Sequence, residues 1–225
     1  MTKTTLFIYK FLVILSLLEL VIFSTLCYCG DVHYPYVTCG SILKIQNISY
    51  KVRLHSHDIK YGSGSGQQSV TGIDSQEDNN SHWVVKGKIG QPCRRGQPVT
   101  CGSVIRLEHI ATNKNLHSHH FPSPLSNNLE VSAFGDDGKG DTGDYWMVVC
   151  SSDYWERDGK IRLKHVDTDG WLTVSGHSYG RPIHGQLEVC TKPNSDSSSY
   201  WRTVEGVYIK AEDPPVKLIH QHTEL

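Results

Sequence analysis

The chain has 225 residues, with 22 Lys and Arg against 23 Asp and Glu and a formal net charge of −1. A balance this near neutral excludes a broad polyanion-binding face, and with it nucleic acid or an anionic membrane surface as the partner. Hydrophobic residues make up 38%, Gly is plentiful at 20, and helix-forming runs are scarce, so the composition points to an all-β chain rich in turns.

The N-terminus carries Lys3 and Lys10 and then an apolar run from Phe11 to Leu26, interrupted by Glu19. A basic start, a short apolar core and small residues after it form the pattern of a secretory signal peptide. The alternative is an uncleaved anchor helix. A membrane span needs about 20 apolar residues, and this run is shorter and broken by a charge. Cleavage is expected between Ser24 and Gly30, so residues 1–29 are assigned to the signal peptide and no membrane association is expected after its removal. Roughly 170–185 residues then remain to fold, enough for one core and too few for two.

The dominant feature of that remainder is an internal repeat. Thr38-Cys39-Gly40-Ser41 recurs as Thr100-Cys101-Gly102-Ser103, and Leu54-His55-Ser56-His57 recurs as Leu116-His117-Ser118-His119 with a degenerate third copy, Leu172-Thr173-Val174-Ser175. Gln68-Ser69-Val70 aligns with Leu129-Glu130-Val131 and Leu187-Glu188-Val189, and each unit closes on a tryptophan: Trp83, Trp146 and Trp201. The leucines are spaced by 62 and 56 residues and the tryptophans by 63 and 55, so several landmarks keep one order at one approximate period.

Within a unit the pattern is that of strands. Val104–His109 alternates over its second half, as does Ile161–Val166, with turns at Asn113, Asp158-Gly159, Asp169-Gly170 and the Gly62–Gly66 run. Each unit has room for about four short strands. Three such units predict a β-trefoil occupying residues 34–206, with repeats at about 34–92, 93–153 and 154–206. Leu54, Leu116, Leu172, Val70, Val131, Val189 and the three tryptophans are assigned to a shared core. A solenoid or propeller would need shorter units or more copies.

Five cysteines follow the signal segment: Cys39, Cys93, Cys101, Cys150 and Cys190. An oxidising compartment permits disulfides, and the odd count leaves one thiol unpaired or joined to another chain. There is no C-x-x-C, which removes a thioredoxin-like redox role. Cys93 and Cys101 flank a turn built on Gly96 and Pro98 and form the easiest local pair, although spacing alone does not fix connectivity. Asn47 and Asn79 head N-x-S tripeptides and are candidate glycosylation acceptors. The tail, residues 207–225, contains Pro214 and Pro215 and ends His222-Thr223-Glu224-Leu225, a match to the retrieval signal of the endoplasmic reticulum with Thr in place of Asp. Signal peptide and retrieval tail together assign the chain to the lumen of that compartment.

The Leu-His-Ser-His copies, the Gly62–Gly72 stretch GSGSGQQSVTG and the Glu130–Asp136 stretch EVSAFGD resemble stromal cell-derived factor 2 and its like proteins, over about Val37 to Gly206. That family consists of three MIR repeats, the module shared with protein O-mannosyltransferases and with inositol-trisphosphate and ryanodine receptors. The resemblance implies a β-trefoil without a catalytic centre or cofactor, working with a luminal Hsp40-type (J-domain) co-chaperone and, through it, Hsp70. It further implies that unfolded client proteins are kept soluble in quality control and the unfolded protein response. The third repeat departs from the pattern in lacking the histidine pair.

His55, His57, His117, His119 and His120 form two H-x-H clusters, which could present paired imidazoles on one strand face. No Cys or carboxylate stands at convincing spacing to complete a metal site, so no metal is expected and the histidines are assigned to a turn in which they bond backbone groups. Asp136-Asp137 lies in a Gly-rich loop, and no G-x-S-x-G, H-E-x-x-H or phosphate-binding loop occurs, so no enzyme is expected. The Gly62–Gly66 run is assigned to a mobile hairpin loop. The alternative function is a lectin-like trefoil that binds glycans, for which Tyr61, Tyr154, Trp155, Trp171 and Tyr179 would supply an exposed aromatic face; the same face would serve a protein partner.

Overall fold

The computed structural model describes residues 35–210; the signal segment and the retrieval residues His222, Thr223, Glu224 and Leu225 lie outside the described residues. Twelve strands divide equally among three repeats. The first holds β1 (Ile42–Asn47), β2 (Arg53–Lys60), β3 (Gln68–Ile73) and β4 (Trp83–Lys86). The second holds β5 (Val104–His109), β6 (Lys114–Pro122), β7 (Leu129–Phe134) and β8 (Trp146–Val149). The third holds β9 (Arg162–His165), β10 (Trp171–Ser178), β11 (Leu187–Lys192) and β12 (Trp201–Val207). In each repeat a short 3-10 turn precedes the fourth strand: Asn79–Ser81, Thr142–Asp144 and Ser197–Ser199. No helix among the described residues is long and apolar enough to cross a membrane.

The first and fourth strands close a six-stranded barrel. β1 pairs with β4, β4 with β5, β5 with β8, β8 with β9 and β12 with β1, while an Ile161–Trp201 bridge joins the two ends of the third repeat. Closure leaves the barrel without a free edge. The second and third strands form hairpins whose inner members pair in a ring, β3 with β7, β7 with β11 and β11 with β3. This is the β-trefoil. Each hairpin carries its register irregularity at the same place, after Ser56, Ser118 and Val174, so even the departure from regular pairing is repeated.

Period-two alternation sends Leu43 and Ile45, Ile105 and Leu107, and Ile161 and Leu163 inward from the first strands, with Val85 and Val148 from the fourth. They join Leu54, Leu116, Leu172, Val70, Val131, Val189 and all three repeat-closing tryptophans in one cluster. A buried indole N–H needs an acceptor. Trp83 donates to the Leu54 carbonyl, Trp146 to that of Leu116 and Trp201 to that of Leu172, each at 2.9 Å.

Two expectations are corrected here. Cys93 and Cys101 do not pair with each other. Cys39 is joined to Cys93, with Cα atoms 6.0 Å apart, and Cys101 to Cys150, at 5.5 Å. Each bond ties a Thr-Cys-Gly-Ser turn to the segment that follows the fourth strand of its own repeat, so the pairing obeys the internal symmetry. The segment between Cys93 and Cys101 runs out between bridges of Thr38 to Pro98 and Thr100 to Tyr154, which commits its two ends to different repeats. Cys190 is the free, buried thiol. The second correction concerns the aromatic face. Tyr61, Trp155 and Tyr179 are buried, Tyr154 packs on Tyr36, and Trp171 is half-covered beneath Arg162.

Replacing Trp146 by Phe keeps most of the apolar volume but strands the Leu116 carbonyl in the core. A loss of about 2–4 kcal/mol is expected, of similar size for Trp83→Phe and Trp201→Phe. Chemical denaturation of the three variants with disulfides intact measures this. Strongly unequal losses would contradict equivalent roles.

Candidate functional site

The Leu-His-Ser-His copies are strand residues rather than a turn, because they fall on β2 and β6, where the hairpins leave the barrel. Alternation buries Leu54 and Ser56 and also His55, whose ring turns toward the 3-10 turn of its own repeat. His55 Nδ1 lies 2.8 Å from Asp78 Oδ2, which also accepts the Ser81 hydroxyl at 2.6 Å. Its Nε2 lies 2.7 Å from His57 Nδ1, and His57 Nε2 is 3.3 Å from Ser69 Oγ. Asp, His, His and Ser are thus strung in one hydrogen-bonded line. Ser69 is fully buried and its hydroxyl donates to the Ile59 carbonyl, so it offers no nucleophile to a substrate.

The second repeat places His117 in the same slot, with Nδ1 3.0 Å from Asp144 Oδ1 and 3.6 Å from Asp141 Oδ1. Among the described residues, these three are the group whose ligand atoms lie close enough together to share a cation. Both carboxylates are already engaged. Asp141 accepts the Gly143 N–H and Asp144 accepts the Asp141 N–H, the reciprocal cap of the 3-10 turn. The third repeat fills the slot without histidine, by Thr173 Oγ1 against Ser199 Oγ at 2.7 Å. One task therefore has three solutions: a side chain of the second strand pins the turn that aims the tryptophan.

The sequence patterns miss a second set of equivalent positions. His109 ends β5 and His165 ends β9, each stacked on a repeat-closing indole, Trp83 and Trp146 respectively. Their Nε2 atoms meet the carbonyls of Asn80 and Gly143, both at 2.8 Å, and their Nδ1 atoms meet Thr112 and Thr168. The counterpart on β1 is Asn47, whose Nδ2 donates to the Ser198 carbonyl at 2.7 Å. These groups lock each 3-10 turn to the repeat that follows it. The detectable signal was a shared place at the end of an alternating strand, one residue type apart in the first copy.

Electrostatics follow burial. Desolvation, reinforced by the nearby His55 and His57, lowers the His109 pKa from 6.5 to about 4. Desolvation also lowers His165 and His57. Burial alone would raise the Asp78 carboxyl, but hydrogen bonds from Ser81 and His55 outweigh it and hold that group below its usual value. At Asp144 burial prevails over the His117 contact and the carboxyl is raised.

The Gly62–Gly66 loop is not loose either. The carboxylate of Glu130, buried on β7 of the next repeat, accepts the Ser65 N–H at 3.2 Å and the Ser65 hydroxyl, and faces His119 Nε2 at 3.0 Å. Gly64 is required there, because a Cβ would fall 2.1 Å from Glu130 Oε2 and its φ is +72°. Glu188 on β11 holds the next hairpin tip in the same way, accepting from Leu125 and Ser126.

Two outcomes are expected. A buried neutral histidine binds fewer protons folded than unfolded between its two pKa values, so stability falls as pH drops from about 6.5 toward about 4. His109 accounts for up to about 3 kcal/mol of that loss. His109→Asn, which borrows the Asn47 solution, is expected to flatten the dependence, as read by denaturation across that pH range; an unaltered slope would contradict the assignment. The second concerns modification. Asn47 is fully buried with its amide nitrogen engaged, whereas Asn79 is exposed at the start of its 3-10 turn. A glycan added during secretion is expected at Asn79 alone in the folded protein. Asn79→Gln should remove it, and intact mass before and after enzymatic deglycosylation reads the result.

Comparison with known proteins places this arrangement. A family model described as the MIR domain matches residues 43–201. The human stromal cell-derived factor 2-like protein 1 is 54% identical over 84% of this chain and 84% of its own, and bovine stromal cell-derived factor 2 is 52% identical over 87% and 92%. The crystal structure of the stromal cell-derived factor 2-like protein of Arabidopsis thaliana superposes with a TM-score of 0.77 at 46% identity, covering 79% of this chain and 99% of that one. The protein O-mannosyltransferase complex of Saccharomyces cerevisiae, bound to its sugar donor, contains a similar unit, with a TM-score of 0.68 at 25% identity over 80% of this chain and 27% of that one. With three trefoil repeats and this extent of identity, the chain belongs to the stromal cell-derived factor 2 family of MIR-domain proteins.

Proposed function

We propose that this protein is a non-catalytic component of the chaperone system in the lumen of the endoplasmic reticulum. In this reading it binds a luminal Hsp40-type co-chaperone, acts through it with Hsp70, and helps keep unfolded clients soluble. The observation that carries the reading is the use made of the polar groups that sequence alone would nominate for chemistry. His55, His117, Asp78, Asp141, Asp144, Glu130 and Glu188 each hold a turn or a hairpin tip, and the serine in line with two imidazoles is buried. What remains for function is a rigid surface, the expected property of an adaptor. The signal peptide and the H-T-E-L tail support the compartment, and relatives bearing the names of stromal cell-derived factors, not of enzymes, support the absence of turnover.

The glycan-binding alternative is the weaker reading, because most of the aromatic platform it required is interior. Tagged protein retained in the lumen by its own tail is expected to recover a J-domain protein and Hsp70 after mild crosslinking. Recovery of neither, from cells in which both are abundant, would overturn the proposal. Deleting His222–Leu225 is expected to shift the protein into the medium.

A further inference from the structure

The two Thr-Cys-Gly-Ser turns have the same backbone, with Gly40 at φ +82° and Gly102 at φ +85°, but different neighbours. At the first turn the chain grips its own C-terminal side. The Ile209 N–H donates to Ser41 Oγ at 3.0 Å, and Thr38 Oγ1 donates to the Ile209 carbonyl at 2.7 Å. The two hydroxyls lie 2.7 Å apart. Since the Thr38 proton is committed to the carbonyl, Ser41 donates to Thr38, and a closed circuit reads both backbone groups of one residue. The Ile209 side chain lies over Gly40 beside that of Arg95, with Ile209 Cγ1 3.9 Å and Arg95 Cγ 3.3 Å from where a Cβ would stand.

At the second turn that place is vacant. Nothing lies within 4 Å of a Cβ built on Gly102, Thr100 is exposed with no hydrogen bond from its hydroxyl among the described residues, and Ser103 Oγ turns back onto the Thr100 carbonyl at 2.7 Å. The reason lies in the preceding strand. β12 is followed by a continuation that delivers Ile209, whereas after its counterpart β4 the chain passes Gly87 and reverses between Lys88 and Gln91, which are bridged to each other. A Cβ on Gly87 would fall 2.4 Å from the Cys93 nitrogen and 2.6 Å from the Gln91 oxygen. The chain thus leaves the track that would cross Thr100 and Ser103. Beside the turn it leaves a groove of about 240 Å³, with Lys88, Gln97, Pro98, Val99, Thr100 and Val104 among its walls.

We propose that this second turn is a docking site for an extended polypeptide segment of another chain, held by the backbone of one residue between Thr100 and Ser103, with that residue's side chain over Gly102. The occupant is defined by what fills the equivalent place: an extended strand continuation carrying a branched aliphatic residue after an aromatic one, as in Tyr208-Ile209. Rotation of Ser103 about χ1 frees its oxygen to accept the peptide N–H. Two hydroxyls that read only an N–H and a C=O tolerate many sequences, which suits unfolded chains. That the occupant is a folding client rests on the function proposed above; the groove itself does not.

The test uses a fluorescein-labelled peptide of the sequence Gly206–Ala211, GVYIKA, titrated into the full-length secreted protein by anisotropy. Saturable binding at one site is expected, weakened about tenfold by Thr100→Val, which removes one hydrogen-bonding hydroxyl from an exposed position. Gly102→Asn, which keeps the positive φ and fills the space, is expected to weaken it as much, while Thr38→Val leaves it unchanged. Absence of saturable binding, or an affinity in Thr100→Val and Gly102→Asn no weaker than that of the unsubstituted protein, would overturn the proposal. So would loss in Thr38→Val instead, which would mean exchange with the chain's own Ile209 segment. Co-chaperone capture is read in parallel. Peptide binding absent with capture intact overturns the groove and leaves the adaptor function standing; peptide binding present with capture absent supports the groove and sinks the adaptor function.

Discussion

Three indole N–H groups, each bonded to the carbonyl of a leucine in its own repeat, set the geometry on which the rest of the molecule depends. Each of these three indoles reaches its acceptor only if the fourth strand enters at a fixed depth and angle. The 3-10 turn before that strand sets the angle. A set of equivalent buried polar groups holds that turn: His55 with Asp78, His117 with Asp144, Thr173 with Ser199 from one side, and Asn47, His109 and His165 from the other.

The substitutions among these equivalent places are informative because the geometry is constant while the chemistry changes. Asn47, His109 and His165 all reach a carbonyl of the neighbouring 3-10 turn, but only the histidines can gain a proton, so two of the three seams weaken in acid and the third does not. In the other set, histidine with carboxylate and threonine with serine do one job at different electrostatic cost. A cluster that resembles a metal site in the second repeat is the same cap seen in its most acidic form. The other two copies hold the same turn with fewer charges.

The trefoil was legible because its period is carried by large residues with fixed duties. Leucine and tryptophan recur where the core of each repeat is built. The disulfides follow the same symmetry: Cys39 and Cys101 are equivalent, and a local bond between Cys93 and Cys101 would leave the first turn without its own. The Leu-His-Ser-His segments were assigned to a turn because histidine has weak strand preference, which burial against a specific partner overrides. His109 and His165 escaped notice because a lone histidine at a strand end carries no pattern until the partner carbonyl, 22 or 29 residues away in sequence, is known. Of the aromatics assigned to the surface, Tyr61, Trp155 and Tyr179 are interior, and the Tyr61 hydroxyl meets the carbonyls of Val70 and Val131 there.

The ladder between β1 and β12 joins the first strand of the domain to the last, through pairs such as Asn47 with Trp201. A ribosome delivers one long before the other. At about 5–20 residues per second, β1 waits on the order of ten seconds or more for its partner. Throughout that interval the side of β1 that faces β12 is an unpaired strand edge, and the Asn47 amide lacks the Ser198 carbonyl that it bonds in the finished barrel. The last strand to be made therefore completes both the ladder and the seam of the first strand in one step.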